Sequence, residues 1–411
     1  MKRFFTKQTV LIILVILFFL IAWNRAANLL YVMFALLTAT LIIAHILPRY
    51  SLRDVLATRS IPSTAFEDDE VDVEVCVQNK GWMSRYMIEV VDSIPAAEPD
   101  SRSPMTFIAR LPKRQNRKYS FKLSCYKRGE YTVGPLTVRS SYPLGISSIE
   151  KPLPEGIQTL LVYPQVFDIE RFPLIAASNT PMVGVESVMI AGGSDEFFGT
   201  REYRQGDSLR HIHWLSTARH SELIVKEFEI RSSTEATLII DLHKKSDIGT
   251  GKETTLEYAV KIAASIARYV LERGHSFQLI GYGERPHIVS SSRGINHLAA
   301  VLETLARVKA EGGIAYPDAI YQSSELLRDG GAVVLIFSQL SGEPDKYLYS
   351  IGLLKAKRMR PVCIFLNRES FLDNKAKSME RQNPLIDELI GEGIPVYFVS
   401  KGDNLQEIFR I

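Results

Sequence analysis

The sequence predicts a membrane-anchored chain built from an N-terminal two-helix transmembrane hairpin, a β-sandwich and a C-terminal doubly wound α/β domain. Three observations carry that reading. Two apolar runs, Gln8 to Trp23 and Ala26 to Leu47, have no polar face. The stretch Val71-Asp-Val-Glu-Val-Cys-Val77 alternates with the period of a half-buried strand. Ala332-Val-Val-Leu-Ile-Phe337 is nearly continuously apolar, as a parallel strand covered on both faces requires. The expected boundaries are a hairpin over 1–50, a β-sandwich over 51–165, an irregular connector over 166–200 and the α/β domain over 201–411.

At ~1.5 Å rise per residue the second run crosses a hydrocarbon core of ~30 Å, and the first does so with Phe4 and Phe5 or local bilayer thinning. A cleaved signal peptide accounts for the first run but not the second, and no small-residue cleavage site separates them. Lys2, Arg3 and Lys7 precede the spans and Arg49, Arg53 and Arg59 follow, against Arg25 alone in the turn. The positive-inside rule then places both ends in the cytoplasm. The expectation is a cell-membrane protein with two spans, residues 8–47, whose soluble parts face the cytoplasm.

In the second part Met87 to Val91, Arg117 to Cys125 and Leu136 to Arg139 continue the strand pattern, punctuated by Asn79-Lys-Gly81, Leu111-Pro112 and Gly134-Pro135. About 100 residues of short strands and turns predict a small sandwich. Residues 166–200 have little periodicity and carry Pro173, Pro181, Gly184 and Gly192-Gly193. Beyond them strands alternate with helices. Ala236 to Asp241, Phe277 to Ile280, Ala332 to Phe337, Pro361 to Leu366 and Pro395 to Val399 read as strands. Thr255 to Glu272, Asn296 to Lys309 and Asp318 to Leu327 read as helices, the first with Ala259, Ala263, Ile266 and Val270 on one face.

A formal net charge of +3 over 411 residues gives no global sign of nucleic-acid binding. Cys76, Cys125 and Cys363 make neither a disulfide framework nor a metal knuckle and read as small buried hydrophobes, although a Cys76–Cys125 bridge stays open on sequence alone.

The densest run of charge is Arg201-Glu-Tyr-Arg-Gln-Gly-Asp-Ser-Leu-Arg-His-Ile-His-Trp214, followed by Arg219. Asp207 or Ser208 is a good N-cap, and Leu209, Ile212 and Leu215 or Ser216 fall at helical spacing, so a short amphipathic helix is expected with Trp214 as a core anchor. His211 and His213, two apart on such a helix, diverge by ~200° and would not share a metal. Arg201, Glu202, Tyr203, Arg204, Gly206, Asp207, Arg210, Trp214 and Arg219 have two readings. Arginines paired with Glu202, Asp207 and nearby acids would clamp the segment to the α/β domain; groups facing outward would grip an acidic partner or a phosphate.

Read as R-E-Y-x-x-G-D-x-x-R-x-I-x-W, this run resembles the signature of the bacterial DUF58 proteins. Lys127-Arg-Gly-Glu-Tyr-Thr-Val-Gly-Pro135 with Tyr142-Pro-Leu-Gly145 resembles a stretch upstream of it in that family. The resemblance covers essentially the whole chain and implies a von Willebrand factor A (vWA)-like α/β domain. Metal-binding members of that fold end their first strand in D-x-S-x-S. Here Asp241 survives, while His243 and Lys245 stand at the two Ser positions, and Ser338-Gln-Leu-Ser341 lacks the further Asp. The Lys245 ammonium is expected to repel a divalent cation and to be able to neutralise Asp241 itself, so no metal and no cofactor are expected.

No Walker loop, G-x-S-x-G elbow or H-E-x-x-H motif occurs, and Gly281-Tyr-Gly283 lacks the third glycine of a dinucleotide fingerprint. The resemblance implies a partnership with a MoxR-type AAA+ ATPase, and with a transglutaminase-like membrane protein. The expected function is a non-catalytic adaptor or scaffold coupling the ATPase to assembly of membrane or envelope complexes. The competing reading is an enzyme whose Arg/Asp/His signature acts on an acidic or phosphorylated envelope substrate. A metal-dependent adhesion-type receptor is a third, opposed by the altered Asp241 motif.

Overall fold

The computed structural model describes residues 7–25, 28–98, 104–153, 156–173, 197–203, 212–220, 222–228, 235–338, 344–372 and 384–410. The chain divides after Gln165 into two compact units.

The first unit opens with α1 (Lys7–Arg25) and α2 (Asn28–Ser51). Both are long and apolar enough to cross a membrane, and almost none of either helix is buried in protein. Helices apolar all round and left uncovered suit a lipid solvent, where the helix satisfies its own backbone. They pack through Phe19, whose ring centroid lies 5.1 Å from that of Phe34.

Ten strands follow: β1 (Val55–Ser60), β2 (Thr64–Phe66), β3 (Glu70–Asn79), β4 (Arg85–Val91), β5 (Met105–Leu111), β6 (Asn116–Ser124), β7 (Gly129–Val133), β8 (Leu136–Ser140), β9 (Ile149–Leu153) and β10 (Gln158–Tyr163). They pair as three sheets, β1-β3-β6, β2-β10-β7 and β5-β4-β8-β9. β3 behaves as its alternation predicts: Val71, Val73, Val75 and Val77 are buried, while Asp72 and Glu74 sit on the other face. One core serves all three sheets, with Val73, Ile88, Leu111, Leu136 and Leu160 fully buried in it. Each such side chain contributes about 1.5–3 kcal/mol relative to exposure.

Arg59 of β1 lies inside this unit. Its Nη1 donates to Asp92 Oδ1 at 2.6 Å, its Nη2 to the carbonyl oxygens of Val133 (2.8 Å) and Gly156 (2.6 Å), and its Nε to Gln158 Oε1 (3.2 Å). Asp92 directly follows β4, so one guanidinium reaches all three sheets. The planar fork suits this, because each N–H points at a different acceptor. All three cysteines are free, so the bridge that the sequence leaves open between Cys76 and Cys125 is not formed.

The second unit begins with residues 166–173, which lack regular structure but are tied down: the Phe172 N–H donates to Tyr269 Oη at 3.2 Å, and its ring stacks on Tyr397. The expected connector to residue 200 is cut short by β11 (Phe197–Glu202). Then come α3 (Trp214–His220), β12 (Ile224–Phe228), β13 (Glu235–Ile240), β14 (Gly249–Thr250), β15 (Glu253–Thr254), α4 (Thr255–Glu272), β16 (Ser276–Tyr282), β17 (Pro286–Ser292), α5 (Ile295–Arg307), α6 (Tyr316–Ser324), β18 (Ala332–Phe337), α7 (Pro344–Ala356), β19 (Arg360–Leu366), α8 (Arg368–Leu372), α9 (Pro384–Gly391), β20 (Val396–Val399) and α10 (Leu405–Ile408).

Six strands form one sheet in the order β17-β16-β13-β18-β19-β20. All neighbours are parallel except the edge strand β17, which runs antiparallel to β16. Every residue of β18 is buried, as its unbroken apolar sequence requires. α4 begins where Thr254 Oγ1 accepts the Glu257 N–H at 3.3 Å, and it buries Ala259, Ala263, Ile266 and Val270. The chain leaves β13 toward β16 and leaves β18 toward β19, so the connections diverge between β13 and β18. A crevice forms at the C-terminal ends of strands where such a reversal occurs.

Replacing Asp92 by Ala is expected to lower the stability of the β unit by about 3–5 kcal/mol, because the Arg59 charge stays buried without its carboxylate. Urea unfolding of the full-length protein in detergent measures this, and Asp92→Asn, which keeps an acceptor, should cost less.

Candidate functional site

Two places gather the side chains singled out in the sequence. The first is the hairpin formed by β11, α3 and β12. β11 and β12 are antiparallel, with Arg201 opposite Val225 and Glu202 opposite Ile224. The Tyr203 N–H donates to the Leu223 carbonyl at 2.8 Å, and Ile212 forms an isolated bridge with Val225. Ile212 and Val225 are buried.

Ile212 lies in the bridge; the expected N-cap at Asp207 or Ser208 lies outside the described residues, and the helix that carries Leu215 begins at Trp214. His213 starts it. Its Nδ1 lies 2.6 Å from Ser216 Oγ and accepts the Ser216 N–H at 3.3 Å, and its carbonyl accepts the Thr217 N–H. Thr217 Oγ1 in turn accepts the Ile224 N–H at 3.0 Å. α3 is therefore joined to β12 by the hydroxyl of Thr217. Its apolar residues face solvent: Trp214 is 67% and Leu215 64% exposed. Trp214 is thus not a core anchor: it stands in solvent, and the Thr217 hydroxyl and the Ile212–Val225 bridge tie this segment to β12.

Glu202 and Arg219 are exposed and Tyr203 is half-buried. Arg204, Gly206, Asp207, His211, Arg210 and the side chain of Arg201 lie outside the described residues, and the expected arginine–carboxylate clamp lies there with them.

The second place is the crevice between β13 and β18. A cavity of about 180 Å³ opens there, lined by Asp241, His243, Lys245, Ser246, Tyr316 and Tyr347 among others. Asp241 follows β13 directly and is only 8% exposed. Its Oδ1 accepts the His243 N–H at 2.9 Å and its Oδ2 accepts the Ser246 hydroxyl at 2.5 Å. The carboxylate is therefore satisfied by Ser246 and backbone, and not by Lys245, whose side chain is exposed. Burial raises the Asp241 pKa against the pull of these two donors.

Neighbouring hydroxyls are turned away from any shared centre. Ser338 Oγ and Thr255 Oγ1 both donate to the Ser246 carbonyl, at 2.8 and 2.5 Å. Tyr316 Oη donates to the Ile239 carbonyl at 2.8 Å, and burial holds its phenol well above the usual range. Among the described residues no group of three or more His, Cys, Asp and Glu side chains gathers to hold a metal. The His243 Nδ1 accepts the Lys245 N–H at 3.2 Å, which in the neutral ring leaves Nε2 protonated. The cavity wall thus offers two cationic or N–H donors, Lys245 and His243, beside one buried carboxyl. Gly312 ties down the loop after β13: it exchanges backbone hydrogen bonds with Leu242 and Lys244, and a Cβ there would collide with the Tyr282 and Leu242 carbonyl oxygens. Ser246 is the residue that sequence reasoning missed. It lies outside the D-x-S-x-S spacing, and the only signal for it is a serine five residues beyond Asp241.

Residues 199–359 match the profile of a family described as "Protein of unknown function DUF58". The "Uncharacterized protein YeaD" of Bacillus subtilis (strain 168) is 27% identical over 291 residues, 69% of each chain. Among solved structures, the CARDB domain of the PF1109 protein from Pyrococcus furiosus aligns with 26% of this chain and 87% of its own, at 12% identity and a TM-score of 0.20. Proximal thread matrix protein 1 from the mussel byssus aligns over 43% of both chains, at 15% identity and a TM-score of 0.27. The RO (RSR) protein of Deinococcus radiodurans aligns over 43% of this chain and 33% of its own, at 11% identity and a TM-score of 0.27.

A carboxyl whose folded pKa is raised binds its proton more tightly folded than unfolded. Its contribution to stability is therefore greatest at acid pH and falls as pH rises from about 4, the ordinary value, through the raised one. Asp241→Asn should remove that component: the difference in melting temperature between wild type and variant should shift in the variant's favour as pH rises through this window. Asp241→Ala should instead lower stability by about 1–3 kcal/mol at neutral pH, by leaving the Ser246 hydroxyl and His243 N–H without an acceptor.

Proposed function

Taking the chain as a DUF58 protein across residues 199–359, we propose that it is a membrane-anchored, non-catalytic adaptor. It works with a MoxR-type AAA+ ATPase in assembling or maintaining membrane or cell-envelope complexes, a transglutaminase-like membrane protein being a further partner. The observation that carries this is the signature helix: Trp214 and Leu215 stand in solvent on a helix fastened to β12 through the Thr217 hydroxyl. Trp is enriched among residues that dominate protein interfaces, and a large exposed Trp beside Leu fits a docking surface better than a catalytic centre.

The rest of the architecture supports the same reading. α1 and α2 supply an anchor, and the basic residues flanking them support soluble units on the cytoplasmic side, where an ATPase finds its nucleotide. Three sheets around one core support a β-sandwich, and a parallel sheet with one antiparallel edge supports a vWA-like α/β domain. Asp241, with both oxygens taken by protein donors, supports recognition that does not depend on a divalent cation.

The test is capture of partners by full-length, detergent-solubilised protein with and without ATP, read by mass spectrometry. Recovery of an AAA+ ATPase should depend on nucleotide and fall about tenfold or more in Trp214→Ala/Leu215→Ala, the size of effect expected at an interface centre. The same variant should melt like wild type, since both side chains are exposed. Equal capture by variant and wild type would remove the signature helix from the interface.

A further inference from the structure

The turn between β3 and β4 carries Trp82 and Met83, 71% and 42% exposed. Turn tips usually hold small polar residues, so two large apolar side chains there need a reason. The turn has a defined shape. Asn79 Nδ2 donates to the carbonyl oxygens of Met83 (2.8 Å) and Pro112 (3.1 Å), and Asn79 Oδ1 accepts the Gly81 N–H at 2.9 Å. Gly81 is itself closely packed, since a Cβ there would lie 2.8 Å from Arg85 Nη2. Trp82 is presented, not left loose.

The same turn is fastened to the end of α2. Tyr50 Oη donates to Met83 Sδ at 3.1 Å, Arg85 Nη1 donates to the Tyr50 carbonyl at 2.7 Å, and the Arg85 guanidinium lies 4.5 Å from the Tyr50 ring centroid. Ser51 Oγ donates to the Tyr86 carbonyl at 2.8 Å. Tyr50 comes three residues after Leu47, the last residue of the apolar run. At ~1.5 Å per residue it sits within about 5 Å of where the hydrocarbon ends, a depth that belongs to headgroups. Arg49, Arg53 and Lys80 are exposed around it.

We propose that this edge of the β unit docks on the lipid headgroup region of the membrane that α1 and α2 cross. Trp82 and Met83 enter the interface, and Arg49, Arg53 and Lys80 lie against lipid phosphates. Amphipathic Trp rings settle at this depth, and basic side chains beside them gain from anionic lipid. The occupant is lipid because the turn is bonded to the very residues on which the span emerges. The inference rests on the reading that the two helices cross a membrane.

The chain has three tryptophans, Trp23, Trp82 and Trp214. Full-length protein carrying Trp23→Phe and Trp214→Phe is reconstituted into phosphatidylcholine–phosphatidylglycerol vesicles, with and without lipids brominated near the headgroup end of their chains. The expected result is blue-shifted Trp82 emission, strongly quenched by the brominated lipid and quenched several-fold less by acrylamide than free tryptophan. Emission like that of tryptophan in water with no quenching by brominated lipid overturns the proposal. So does blue-shifted emission without lipid quenching, which would mean that protein covers the turn. A companion protein with Trp82→Phe and Trp214→Phe reports on Trp23 in α1. Quenching of Trp23 without quenching of Trp82 defeats the docking proposal alone, whereas loss of both defeats the membrane anchor itself.

Discussion

One buried guanidinium, that of Arg59, is the interaction on which the first unit depends. Its hydrogen bonds to Asp92, Val133, Gly156 and Gln158 join strands that belong to three separate sheets. Apolar packing alone is non-directional and would hold those sheets together without specifying how their ends meet. A charge that must keep its carboxylate and its carbonyl acceptors makes that choice, at the cost of desolvating it. Arg85 repeats the device at the end of α2, where it is 1% exposed and held by the Tyr50 ring and carbonyl and by Asp54 at 3.4 Å. The turn bearing Trp82 is placed by these contacts, so the position of an exposed side chain follows from a buried one.

The second unit solves a different electrostatic problem. Asp241 lies at the end of a central strand in a crevice of a kind that often holds a ligand. A carboxylate there needs compensation for lost water, and in this chain it comes from a serine hydroxyl and a backbone N–H. The hydroxyls of Thr255 and Ser338 are committed to the Ser246 carbonyl, so they support the loop that carries Ser246. The result is a small, internally satisfied site with Lys245 and His243 on its wall. Fold and activity separate at this point: the same sheet order accommodates different chemistry according to the few residues at its strand ends.

Much of the architecture was legible because it rests on periodicity. α4 could be read from Ala259, Ala263, Ile266 and Val270, and β18 from its unbroken apolar run, since burial on one face or on both leaves a direct imprint. β17 left none: it is an edge strand of alternating polar residues, Pro286-His-Ile-Val-Ser-Ser-Ser292, held by pairing with β16. The signature misled for a related reason. Spacing of Leu209, Ile212 and Leu215 suggested one apolar stripe, yet Ile212 belongs to a bridge, Leu215 stands in solvent, and Thr217 makes the hydrogen bond to β12. Ser246 was hidden because side-chain hydrogen bonds across five residues have no period.

If the exposed helix α3 is a docking surface for another protein, a reactive group placed on it will meet that protein. A photo-crosslinking amino acid at position 215, compared in the cell membrane with the same group at Tyr349, exposed elsewhere on the second unit, tests this directly. The expected result is a defined adduct with an AAA+ ATPase from position 215 and none from position 349. The absence of any adduct at 215, or the same adducts from both positions, would contradict it.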